Sequence, residues 1–166
     1  NVTLGLVLLP GSTPIQTAIT DINGYYQFTN LCPGFYTVVV LQNNKVVNGE
    51  GINSTDAAQV NYWPTVASTN PISHARFLAG DVTNNDVIGA NDALAIQGYF
   101  VNGPNKPPTY TIPYFTREPW SYWEKDQFVN TNPPVPPSSA GWSRQLKSIA
   151  DIVIKIEGLV TGDFNE

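Results

Sequence analysis

The stretch GDVTNNDVIGANDALAIQGYF, residues 80–100, sets the character of the middle of the chain. Counted from Asp81 as position 1, oxygen-bearing side chains fall at positions 1, 3, 5 and 12 as Asp81, Thr83, Asn85 and Asp92. Val87 at position 7 offers its carbonyl, and Gly89 at position 9 leaves room for water. A hard cation takes about six to eight oxygens at about 2.3–2.6 Å, and a tight loop that turns into a helix converges them from alternate positions. The spacing therefore reads as a calcium loop followed by a helix over Ala90–Val101. Ile88 at position 8 is expected to dock the loop onto a partner loop. Two positions depart from the ideal: Thr83 stands where Asn or Asp is usual, and Asp86 where glycine makes the sharp turn. Asp tolerates left-handed backbone better than most residues, so the loop remains feasible.

Working outward, GINSTDAAQVNYW (51–63) repeats the second half of such a loop, with Asn53 at position 9 and Asp56 at position 12. Its first half is missing, since the same register puts Lys45 and Val47 where carboxylates belong. The final GDFNE supplies that opening, with Asp163 and Asn165 as positions 1 and 3. The two half-loops are expected to meet and hold a second ion. Helices are expected over Ser54–Trp63 and over Pro71–Leu78, the latter with Asn70 as N-cap and Pro71 at its first position.

The flanks read as strands. Val2–Val47 runs β-branched and aromatic residues between turn signals such as Asn23-Gly24 and Pro33-Gly34, which predicts four or five short antiparallel strands. VTLGLVLL, residues 2–9, is apolar on both faces and reads as a strand with an exposed edge. Beyond residue 103 the aromatic alternation in Tyr110–Phe115 and Trp120–Phe128 and the apolar alternation in Ile149–Val160 predict further strands, while NPPVPPSS is a stiff connector. Three regions follow: a β-module at 1–47, a calcium-binding helical region at 48–103, and a Pro-rich aromatic strand region at 104–166 whose strands could complete the β-module.

Composition narrows the function. Of 166 residues, 42% are hydrophobic and only 13% charged, which favours a folded chain over a disordered one. Eight Lys and Arg against thirteen Asp and Glu, net charge -5, supply no basic stripe for nucleic acid. No apolar run is long enough to span a bilayer as a helix. With no Met at position 1, the chain is expected to begin inside a longer gene product. One Cys and one His leave little for covalent or imidazole catalysis: Cys32 is expected to be buried, and His74 to lie on a helix face. Ser54, His74 and Asp56 come with no nucleophile elbow. Glu118, Glu124 and Asp126 lie among aromatics, yet Arg117 and Lys125 beside them make a solvated strand face the better reading than a glycosidase pair. Trp120, Trp123 and Trp142 could stack sugars, but packing is their better-supported role. Asn1-Val2-Thr3 and Asn53-Ser54-Thr55 are glycosylation sequons by pattern alone.

Two resemblances sharpen this. TDINGYYQFTNLCPGFYTVVV (20–40) resembles the TDANGxYxFxxLxPGxYxV signature of carboxypeptidase-regulatory-like and SpaA (Cna-B)-like modules, over about residues 13–42. GDVTNNDVIGANDALAIQGYF is similar to a type I dockerin repeat, GDVNxDGxVxxxDALxxxxYx. Their combination resembles the organisation of large secreted surface proteins of Bacteroidetes-type bacteria. The resemblance implies a mainly β chain with a small α region, an immunoglobulin-like β-sandwich lacking its first strand joined to a dockerin/EF-hand-like calcium segment. It further implies a non-enzymatic attachment module, extracellular or at the cell surface, that binds a cohesin-like or cell-surface protein. Loop positions 10 and 11 would contact that partner, here Ser54, Thr55, Ala90 and Asn91. The alternative is a subunit of an extracellular filament or stalk, in which a neighbouring copy donates the missing strand and calcium stiffens the joint.

Overall fold

In chain order the elements are β1 (Val2–Leu8), β2 (Pro14–Ile19), β3 (Gly34–Asn43), α1 (Ser54–Tyr62), a 3-10 turn (Trp63–Thr65), β4 (Ile72–Ser73), α2 (His74–Gly80), α3 (Ala90–Asn102), β5 (Trp120–Glu124), β6 (Phe128–Val129), β7 (Arg144–Leu146) and β8 (Ile156–Val160). They come from a computed structural model that describes residues 2–43, 51–102, 115–116, 120–135, 144–146, 155–160 and 162–164. The chain divides into two compact units, Asn1–Val46 with Trp142–Val153, and Val47–Gly141 with Ile154–Glu166.

The first unit is built on a four-stranded sheet in the order β2-β1-β3-β7. β1 pairs antiparallel with β2, Leu4 opposite Ala18, and with β3, Leu6 opposite Val38. Four consecutive residues of β1, Leu4–Val7, are buried, whereas burial alternates along β2. A run that is apolar on both faces suits an inner strand covered on both sides, and alternation suits an edge. The expected open edge at Val2–Leu9 is thus corrected: both edges of β1 are paired, and among the described residues the edge strands of this sheet are β2 and β7. Fewer strands form before residue 44 than expected, because Tyr25–Thr29 joins no strand. Asp21 Oδ1 accepts the amides of Asn23 and Tyr25 in a turn that Gly24 completes at φ 83°, and the carbonyl of Thr29 is taken by the Gln16 side chain, 2.9 Å, rather than by a ladder. Tyr26 and Phe28 pack edge to face instead. Cys32, expected inside, is exposed together with Pro33 in the LxPG turn, while its carbonyl accepts from the hydroxyl of the buried Tyr36, 2.6 Å.

The second unit packs α1 against α3 around Val60, Phe77, Val82, Ile88, Ile96 and Phe164, all at most 2% exposed. α1 and α3 start where the sequence places them. α2 does not: it begins at His74 with Ser73 as N-cap, whose Oγ accepts from Arg76 N. Pro71 cannot open a helix here because Ile72–Ser73 pairs with Phe128–Val129, and the carbonyl of Asn70 is held by the Trp63 indole, 2.9 Å. The expected strand Trp120–Phe128 splits into β5 and β6 at Asp126, whose φ is 66°. β5 pairs with β8. The expected strand residues 110–114 and 149–154 lie outside the described residues.

Candidate functional site

Between α2 and α3 the chain closes on two buried carboxylates. Asp81, 0% exposed, accepts the amide of Asn85 on Oδ1 and that of Asp86 on Oδ2, both at 3.0 Å. Asp92, 1% exposed, accepts Thr83 N and Thr83 Oγ on Oδ1, 3.0 and 2.8 Å, and Gly89 N on Oδ2, 2.9 Å. Asn84 and Asp86 both adopt the left-handed conformation, φ 57° and 61°, so Asp does supply the turn usually given to glycine. Asn85 Oδ1 accepts the amide of Val87, and the Val87 side chain is exposed. Burying two carboxylates in a loop that contains no Lys or Arg is costly unless charge is compensated. Were a hard cation held here, Asp81 and Asp92 would be its charged ligands and Thr83, Asn85 and the Val87 carbonyl its neutral ones. Among the described residues no group of three or more His, Cys, Asp or Glu converges as a metal site, so an ion here would rest on these mixed ligands.

Ile88 is buried in the same cluster as Ile52 and Phe164 of the split loop, and its backbone has a partner of its own. Asn132 donates to the carbonyl of Ile88, 2.7 Å, and accepts from its amide, 3.0 Å, standing in for a strand. Sequence reading missed Asn132 because it sits in a Pro-rich stretch read only as a connector.

The two half-loops are brought together. Asn53 caps α1, its Oδ1 accepting from Thr55 N, while Asp56 Oδ2 accepts from Asn53 N, 2.8 Å. This reciprocal pair is a capping box. Asp56 is 0% exposed, and its Oδ1 accepts the amide of Phe164, 2.8 Å. Asp163 is buried against Gly51, where an added Cβ would lie 2.6 Å from Asp163 Oδ2. Asp56 takes the position-9 amide, Asn53 N, as Asp92 takes Gly89 N, but from the loop opening it takes the amide of the second residue, Phe164, where Asp92 takes that of the third, Thr83. Gly80 and Gly162 each precede the opening Asp, and each backs onto the position-8 isoleucine of its own loop, Ile88 and Ile52. Asn165 lies outside the described residues.

Ser54, Thr55, Ala90 and Asn91 are exposed in the first turns of α1 and α3. Trp123 is buried, stacked on His74 at 3.8 Å and 6°, which removes it from a sugar platform. His74, expected on a helix face, is itself buried there. Asp56 accepts from the Asn53 and Phe164 amides, and His74 stacks on Trp123. The side chains of Arg117, Glu118, Trp120 and Trp142 lie outside the described residues. Among the described residues no helix is long and apolar enough to cross a membrane.

The family model that matches is described as SdrD B-like domain, and it covers residues 1–87, from β1 through α2 into the Asp81 loop. No curated protein and no solved structure matches the chain.

Proposed function

This chain belongs to the SdrD B-like domain family, and on that basis we propose that it is a non-enzymatic, extracellular, calcium-binding interaction module that attaches a larger secreted or cell-surface protein. The family consists of immunoglobulin-like β-sandwich modules of surface proteins and is non-catalytic. The finer reading, a dockerin-like calcium segment, is carried by one observation: Asp81 and Asp92 are fully buried in one loop with no basic residue, each fixed by loop amides. A bound calcium ion would neutralise them and tie α2 to α3. Ser54, Thr55, Ala90 and Asn91 are then the exposed first-turn residues offered to a cohesin-like or cell-surface partner.

A second, weaker ion belongs between Asn53–Asp56 and Asp163–Asn165. Titration calorimetry on chelator-stripped protein tests both sites. The intact chain is expected to take two calcium equivalents, and a chain lacking residues 162–166 one. Asp81→Ala is expected to abolish the tighter equivalent and lower the melting temperature; unchanged affinity and melting would overturn the loop assignment.

A further inference from the structure

The two loops differ in what holds the carbonyl of their second residue. In the contiguous loop the carbonyl of Val82 accepts from the backbone amide of Thr116, 2.9 Å, a neutral partner. In the split loop the carbonyl of Phe164 accepts from Arg76 Nε. The same guanidinium donates through Nη2 to Gln59 Oε1 on α1, 2.9 Å, and lies 4.6 Å above the Phe164 ring. Phe164 is therefore gripped on three sides, its amide by Asp56, its carbonyl by Arg76 and its ring by the guanidinium face.

We propose that Arg76 is the resident cation of the split loop: its guanidinium, bonded to Gln59 of α1 and to Phe164, holds the Gly162–Phe164 strap against α1 without any metal, so this half of the helical unit stays closed when calcium is withdrawn. Hydrogen bonds with a charged partner are roughly twice as strong as neutral ones, and a guanidinium over an aromatic face adds further attraction. Arg keeps its charge across the accessible pH range. Burial pulls the Arg76 pKa below its ordinary value, while Asp56 and Asp163 pull it back up, so both acidic members of the split loop already feel a positive charge. A second cation placed there is repelled by the first. The strap closure goes beyond the calcium reading and does not need it; the inequality between two calcium sites rests on that reading.

Amide hydrogen exchange at Phe164 in excess chelator tests this on the whole chain, with the Ile96 amide as a reporter that the unit is folded. The wild type is expected to keep Phe164 protected. Arg76→Gln is expected to speed its exchange at least about tenfold with Ile96 unchanged, and Arg76→Lys, which keeps the charge and loses the planar fork, by about threefold. Exchange in Arg76→Gln within about twofold of wild type would overturn the proposal, as would loss of Phe164 protection in the wild type on chelation alone. Should Ile96 also lose protection in Arg76→Gln, the lysine variant decides: intermediate exchange supports the proposal and wild-type exchange overturns it. Failure of the calcium reading shows elsewhere, as an unchanged calcium titration in Asp81→Ala, and leaves the chelator comparison intact.

Discussion

The loop at Asp81–Asp92 and its counterpart built from Gly51–Asp56 and Gly162–Phe164 reach similar geometry by different routes. In each, a Gly-Asp step sits beside an isoleucine and an Asp caps a helix while taking an amide from the loop opening. Asp92 finds that amide 9 residues away and Asp56 finds it 108 residues away. By simple chain-closure scaling the longer ring costs about 2 kcal/mol more. The split loop offsets this with features the contiguous one lacks: a large ring at its second position, 2% exposed, and an arginine on that residue's carbonyl. Both loops take anchors from elsewhere in the chain, but those of the contiguous loop are neutral, Thr116 and Asn132, and that of the split loop is charged.

The sharpest way to break this contrast is Phe164→Ala. Removing a buried Phe typically costs about 3–5 kcal/mol; here the loss is expected near the middle of that range, in urea unfolding followed by amides of α1. A cost below about 1 kcal/mol would show that the strap is not anchored by its ring. Next comes the pair Asp92→Ala and Asp56→Ala. The first strands Thr83 N, Thr83 Oγ and Gly89 N, and the second strands at least Asn53 N and Phe164 N. At about 1–3 kcal/mol for a stranded buried donor, softened by water entry, a loss of about 2–3 kcal/mol is expected in each. A loss below about 1 kcal/mol in one of them alone would undo the likeness of the two loops.

Asn132→Ala separates the loops in another way. It removes the two bonds to the Ile88 backbone and is expected to cost about 1–2 kcal/mol. Exchange at the Ile88 amide should rise while that at Phe164 stays constant. The smallest effect is Asp86→Gly, where the left-handed φ of 61° suits glycine better. Stability should change by less than about 1 kcal/mol, and tighter calcium binding in this variant would sharpen the loop reading.

These residues also show what a sequence can reveal. The turn after Asp81 is legible because its parts are contiguous and Asn84 and Asp86 tolerate the left-handed backbone it needs. α1 and α3 are legible from Asn53, Asp56 and Asp92 at their first turns. β1 is ambiguous in principle, since apolar residues on both faces describe an inner strand and an exposed edge equally well; only pairing with β2 and β3 separates them. The start of α2 shifted because the β4–β6 pairing and the Trp63–Asn70 bond claimed backbone that local capping rules had assigned to a helix. Asn132 and Arg76 carry no local signal, because their partners lie 44 and 88 residues away.

The separation between Asp56 and Phe164 has a meaning in time as well. During synthesis at about 5–20 residues per second, the 108 residues between them take roughly 5–20 s to emerge. Over that interval Asn53 can already cap α1 and the Asp81–Asp92 loop can already close, while Asp56 waits for its distant amide. Closure at Asp56 therefore waits for Gly162–Phe164, after Thr116 and Asn132 have already emerged to meet the other loop.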